Sequence, residues 1–224
     1  VTRLWLKFAR AAELCYLSHL DTHRAYARLM RRAGLPLAYS QGFNPHPLIS
    51  LATPLPLGYG SEADYIDLSL AEPMTSEGIA QSLRKTAGGE VFTLRGLRVV
   101  PQRTPALASL VKWAEYTIEV GVCPDTLSNA IDAFAARTAV PFVKETKRGS
   151  RVVNVKELVW RLARTESGLS AVLSQAEPAV LRPEELIHIL AAQEEPWKIR
   201  GVTRQELYSA QLVAPLELPL DIEG

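Results

Sequence analysis

Between Leu17 and Gly58 the chain gathers groups able to hold phosphate and to move protons. Three of the four histidines (His19, His23, His46) fall there with Arg24, Arg28, Arg31 and Arg32, and Asp21 is the only acidic residue among them. Ser18, His19 and Asp21 open an expected helix, where free backbone N–H groups and the helix dipole favour an anion such as phosphate. An imidazole can donate to such an anion or shuttle a proton, the role open to His19. Capping accounts for Ser18 and Asp21 without any ligand, but it does not account for His19. The letters Ser-His-Asp do not make a hydrolytic triad. Residues at i, i+1 and i+3 of one helix start cannot align as nucleophile, base and orienter, and no Gly-x-Ser-x-Gly elbow occurs elsewhere.

The stretch Gly42-Phe43-Asn44-Pro45-His46-Pro47 is a second candidate. Pro45 and Pro47 restrict Asn44 and His46 as well as themselves, so the loop is expected to be stiff. Such a loop suits a planar ligand, with Phe43 stacking and Asn44 and His46 hydrogen-bonding. The competing expectation is a rigid turn with Phe43 in the core and His46 capping a carbonyl. Arg24, Arg28, Arg31 and Arg32 lie at i, i+4, i+7 and i+8, one basic stripe of a helix. Lys144, Lys147, Arg148, Arg151 and Lys156 form a second cluster with Glu145 as its only acid. A solvated face would explain either cluster alone. Two clusters on a shared face would favour phosphate contacts, with Arg148-Gly149-Ser150 as a hairpin tip approaching a backbone.

The elements that must position these groups follow from periodicity. Thr2–Ala11 alternates as a strand. A helix over 19–33 follows, with Ser18 and Asp21 at capping-box spacing, Gly34 as its stop, and Leu20, Ala27 and Met30 toward a core. Leu37–Ser40 reads as a short strand, and Leu48–Leu57, interrupted by Pro54 and Pro56, as an extended edge. Ala63–Leu70 is a strand, Ser76–Ala87 a helix stopped by Gly88-Gly89, and Phe92–Val100 a strand. The order β-α-β-β-α-β is the ferredoxin-like arrangement, and it repeats. Lys112–Val122 is a strand and Pro124–Thr138 a helix. Pro141–Lys147 and Arg151–Leu158 suggest a hairpin, with Val159–Thr165 extending its second strand or starting a helix. Leu169–Leu173, Pro183–Gln193 and Trp197–Tyr208 complete the set as strand, helix and strand. The fold expected is therefore α+β, two tandem ferredoxin-like (βαββαβ) units with antiparallel sheets. The units are expected at 1–101 and 112–210, with a linker over 102–111 and a tail over 211–224. Trp5, Trp113, Trp160 and Trp197 are expected to pack on sheets, and Cys15 and Cys123 to be small buried hydrophobes.

Composition is that of an ordinary globular protein, with 47% apolar and 22% charged residues in 224, enough chain for one large or two ordinary domains. No apolar run approaches the ~20 residues that span a bilayer, and no basic-then-apolar leader precedes the first strand, so no membrane partner is expected. Two distant cysteines fit a reducing cytoplasm, and no spacing suggests a metal site. The net charge of +1 hides an asymmetry. Residues 1–48 hold seven Lys and Arg against Glu13 and Asp21, whereas 182–224 hold four against eight acids. A near-neutral average thus permits an anionic partner but argues against indiscriminate coating of nucleic acid.

Four blocks in order now point to a family: Leu17–Asp21, Arg31–Pro36, Tyr39–Pro47 and Pro54–Gly58. They resemble the uncharacterised bacterial domain found with radical-SAM proteins, fused to their C-terminus or encoded beside them. Lys144–Val153 resembles its second block, and the likeness runs to about Tyr208. The resemblance implies association with radical-SAM enzymes and, in some bacteria, with an RNA-processing endonuclease. The chain lacks the Cys-x-x-x-Cys-x-x-Cys set of a radical enzyme. An iron–sulfur cluster and S-adenosylmethionine are therefore expected only in a partner or in a domain outside this chain. The expectation is an accessory module, not itself an enzyme, that binds structured RNA or a nucleotide-bearing substrate for that partner. Ser18, Arg24, Arg28, Arg31, Arg32, Gly42, Phe43, Asn44, Lys144, Lys147, Arg148 and Arg151 would make the contacts. One alternative is a metal-free phosphoester-processing enzyme with His19 and His46 as acid and base. Another is a protein–protein scaffold for a radical-SAM subunit, marked by an exposed apolar patch.

Overall fold

The computed structural model describes residues 2–86, 91–146, 149–176, 178–192 and 197–220. The expected stop at Gly88-Gly89 and the hairpin-tip residues Lys147 and Arg148 lie outside them. The fold is mixed α+β with mostly antiparallel strands, and the chain divides into two compact units.

The first unit comprises Val1–Val111 with Tyr208–Gly224. Its strands are β1 (Thr2–Arg10), β2 (Ile49–Leu51), β3 (Tyr59–Leu70) and β4 (Phe92–Val100). β1 lies between β3 and β4, and β2 pairs with β3, all antiparallel. Registers such as Leu4↔Leu68 and Leu6↔Ile66 put the even-numbered apolar residues of β1 and β3 on one face. Helices α1 (His19–Arg32) and α2 (Ser76–Lys85) cover that face. Tyr26 and Met30 of α1 and Ile79 and Leu83 of α2 pack there against Leu4, Leu6, Phe8, Ile66 and Leu68.

The expected strand at 37–40 is reduced to isolated bridges, Leu37↔Leu70 and Tyr39↔Pro47. The prolines of 48–57 leave only Ile49–Leu51 as strand, as their missing N–H groups require. The segment expected as a linker is tied to the first unit. Arg3 holds Asp67 through two bonds of 2.8 and 2.6 Å and also donates to the carbonyls of Thr104 and Pro105. A four-residue helix, α3 (Leu107–Leu110), ends the segment, its Leu107 N–H donating to Asp67. The tail returns to the first unit as well, where Arg98 donates to the carbonyls of Leu216 and Leu218.

The second unit spans Lys112–Leu207. Its sheet runs β10 (Lys198–Tyr208), β5 (Trp113–Gly121), β9 (Gly168–Ser174), β8 (Val159–Arg164), with helices α4 (Pro124–Ala136) and α5 (Pro183–Ala191). Val159–Arg164 neither prolongs the hairpin nor starts a helix. A short 3-10 turn over Val155–Leu158 breaks the chain, and β8 then joins β9. The hairpin itself, β6 (Pro141–Thr146) with β7 (Gly149–Asn154), is a separate two-stranded ribbon. Trp160 is 63% exposed at the register shift in β8 and meets Trp113 at 6.0 Å between ring centroids. It is therefore not a core residue. Cys123 is exposed and Cys15 half-buried, so neither behaves as a fully buried hydrophobe.

Candidate functional site

α1 begins where the sequence requires. Ser18 Oγ accepts from the Asp21 N–H at 3.1 Å and donates to the Asp21 carboxylate at 2.7 Å. Gly34, at φ +69°, ends the helix in the left-handed region that glycine tolerates. The cap has a consequence for the expected phosphate site. One donor of the first turn is already bonded, and a carboxylate stands beside the others, which opposes an incoming anion. Ser18 is thus occupied as a cap.

The helix separates its chemistry by face. Thr22, Tyr26, Ala27, Leu29 and Met30 are buried, whereas Arg24, Arg28, Arg31 and Arg32 are exposed. Arg24 lies 3.5 Å from the Asp21 carboxylate, both well solvated. Among the described residues, Arg28, Arg31 and Arg32 have no acidic partner. Leu20, expected toward the core, is 56% exposed. His19 is exposed with no hydrogen bond among the described residues. His23 is half-buried, its Nε2 2.9 Å from the Ile49 carbonyl. That bond ties α1 to β2, three residues beyond His46.

The loop at 40–47 is closed by its own ends. The Ser40 N–H donates to the His46 carbonyl at 2.9 Å, and the His46 N–H donates to Ser40 Oγ at 3.1 Å. Ser40 Oγ also meets His46 Nδ1 at 2.9 Å. With Nδ1 engaged, Nε2 is the ring nitrogen left for a ligand. Gly42 sits at φ +127°, a conformation that a side chain would strain. All of Gln41–His46 is exposed, and Phe43 is as exposed as in an open chain, at 105%. Phe43 therefore does not plug the core, and His46 clamps a serine rather than a carbonyl. Asn44 has no hydrogen-bond partner among the described residues.

A buried polar network beneath α1 was not anticipated. Arg10 approaches Asp64 at 3.5 Å and donates to Thr22 Oγ1 at 3.2 Å, while Tyr26 donates to Asp64 at 3.0 Å. The Arg10 and Asp64 side chains are only 2% and 4% exposed, so the network fixes how α1 lies on its sheet. A signal for it exists in the sequence. Arg10 follows Leu4, Leu6 and Phe8 at period two, and Asp64 precedes Ile66, Leu68 and Leu70 in the same way. Each is a charge in phase with a core face, and such charges must be paired.

The second basic cluster has a different character. The Lys144 ammonium is held by both carboxylate oxygens of Glu185 at 2.5 Å. Lys156 donates to the carbonyls of Phe134 and Ala135 at the end of α4 and lies over the Phe134 ring. Arg151 is exposed opposite Lys144 in the ribbon. The second unit also carries a polar cleft of about 200 Å³ lined by Glu119, Arg164, Glu166 and Arg200 among others, and none of the residues expected to bind lines it. No group of histidine, cysteine and carboxylates able to hold a metal occurs among the described residues. No hydrogen bond joins His19 to His46 there, and no helix among the described residues is long and apolar enough to cross a membrane.

A family model described as an uncharacterised protein conserved in bacteria (DUF2344) matches residues 3–183, most of the chain and every candidate residue. No curated protein matches the sequence.

Proposed function

The chain belongs to that conserved bacterial family, and from this premise we propose that it is an accessory module that binds RNA for a radical-SAM partner. One observation carries the reading. Arg28, Arg31 and Arg32 stand exposed and, among the described residues, without acidic partners on the helix that His23 ties to the strand following the Phe43 loop. Unpaired guanidinium groups on a fixed helix suit phosphate contacts, which position a nucleic acid without reading its sequence. The strand orders also support a finer view of the scaffold as tandem ferredoxin-like units. β4-β1-β3-β2 in the first unit and β10-β5-β9-β8 in the second follow the same path, with the ribbon β6–β7 inserted before β8. The partner follows from the family resemblance alone, and the cluster and S-adenosylmethionine would belong to it.

The test is ultraviolet crosslinking of the tagged protein in its host cell, followed by sequencing of the attached RNA. Enrichment of a defined RNA region, lost in the Arg28→Glu/Arg31→Glu double variant with unchanged circular dichroism, is the expected outcome. RNA recovery at background, or recovery indifferent to the reversal, overturns the reading.

A second reading has one observation in its favour. Tyr16, Leu20 and Leu57 are 79%, 56% and 61% exposed, and the Gly58 N–H bonds the Cys15 carbonyl at 2.8 Å, which joins the backbone beside Tyr16 to the backbone beside Leu57. Such a surface suits a protein partner. A radical-SAM subunit docked there would stay bound in high salt, where phosphate contacts are screened.

A further inference from the structure

We infer that the loop from Ser40 to His46 is a preformed platform for one unpaired nucleobase, so that the RNA taken by this chain is single-stranded where it meets Phe43. The inference rests on the RNA reading and narrows it, because phosphate-binding arginines alone would hold duplex and single strand alike.

Three features carry it. The first is exposure. Phe43 is 105% exposed, and its neighbours Gln41, Gly42, Asn44, Pro45 and His46 are exposed as well. A protein hot spot needs its aromatic anchor seated among other apolar groups that exclude water. Between Gln41 and His46 only Pro45 adds apolar surface beside this ring, with the partly exposed Tyr39 and Leu48 flanking the loop, whereas a base needs only one open face to stack upon.

The second feature is rigidity. Three hydrogen bonds between Ser40 and His46 close the loop, two prolines restrict its backbone, and Gly42 supplies the turn at φ +127°. The backbone that carries the ring is therefore fixed before the ligand arrives, and little loop ordering remains to be done on binding.

The third feature is the polarity beside the ring. Asn44 presents a carboxamide, and His46 presents Nε2 because Nδ1 is engaged by Ser40. Amide and imidazole groups match the donor and acceptor edges of a base, which are available only when it is unpaired. Bases inside an A-form duplex offer neither an open face nor a free Watson–Crick edge to such a loop. Ser40 acts here as a positioning residue, since its hydroxyl meets the imidazole Nδ1 and accepts from the His46 N–H.

The experiment measures binding of the full chain to a fluorescent 12-nucleotide RNA of mixed sequence, alone and annealed to its complement, by anisotropy at fixed salt. The wild-type chain is expected to prefer the single strand about tenfold. Phe43→Ala should erase that preference and leave the salt-dependent affinity for duplex unchanged, whereas Phe43→Trp should keep it. Ser40→Ala should reduce the preference with no change in the melting temperature of the first unit beyond about a degree or two. Equal binding of both RNAs by wild type, or a preference that survives Phe43→Ala, overturns the inference while the arginine reading stands. Binding of neither RNA overturns both, and the docking surface at Tyr16 and Leu57 is then the one to pursue.

Discussion

Arg28, Arg31 and Arg32 on α1 resemble Lys144 and Lys156 in the second unit when only letters are read, since both sets are cations clustered with few acids nearby. Their surroundings differ. The helix arginines project from an element whose other face is locked down by Tyr26, Met30 and the Arg10–Asp64 pair, and no carboxylate among the described residues meets them. Lys144 is neutralised by Glu185, 41 residues away in sequence, and Lys156 serves the carbonyls that end α4. A cation already engaged must give up its partner before it can bind a phosphate, whereas a solvated one gives up only water and counterions. Charge density along a sequence therefore does not separate engaged cations such as Lys144 and Lys156 from solvated ones.

The largest expected effect tests this contrast directly. Reversing Arg28 and Arg31 to glutamate should lower RNA affinity by about a hundredfold and flatten the salt dependence of binding by about two in log–log slope. Lys144→Ala and Lys156→Ala should leave that slope unchanged. Titrations across a fourfold range of salt measure both. A slope that falls equally for the lysine variants would erase the distinction between the clusters.

The next effect lies in stability rather than binding. Lys144→Ala leaves the partly buried Glu185 carboxylate without its ammonium, and a lost charged hydrogen bond of this kind costs about 2 kcal/mol. Urea unfolding should show that loss, with RNA affinity within about twofold of wild type. Weaker RNA binding without lost stability would move Lys144 into the interface.

Much of this was legible in the sequence, and the failures have a common cause. The strands, α1 with its Ser18 cap and Gly34 stop, and the hairpin at 141–154 follow from periodicity and local chemistry, which act within a few residues. Leu20 falls near the helical period of Ala27 and Met30 yet is exposed, because it lies in the first turn, ahead of the first buried residue, Thr22. β8 could not be told from a longer β7, because its identity depends on pairing with Gly168–Ser174 rather than on its own letters. Within the site, the stiffness of the Phe43 loop could be read from Pro45 and Pro47, but the Ser40–His46 clamp and the full exposure of Phe43 could not. The pairing of Lys144 with Glu185 was hidden for the same reason as β8, since the partner is distant in sequence.

Lys156 offers a smaller test. Lys156→Met keeps an unbranched apolar side chain and removes the ammonium that lies over the Phe134 ring and donates to the carbonyls at the end of α4. A cation at a helix C-terminus contributes about 0.5 kcal/mol, so the melting temperature should fall by about one to three degrees and RNA binding should not change. A stability unchanged within error would show that Lys156 is solvated in practice and free to bind.

The smallest effect runs in the opposite direction. Asp21 is the one acid on the basic helix, 3.5 Å from Arg24 and bonded to Ser18. Asp21→Asn retains a side-chain oxygen to accept from Ser18 but removes the charge that competes with phosphate for Arg24. An exposed pair of this kind is worth at most about 1 kcal/mol, so RNA affinity should rise by about twofold, with helix content unchanged. The sign matters more than the size. A gain places Arg24 with Arg28 and Arg31 as a phosphate contact, whereas no change confines the working face to Arg28 and the residues after it.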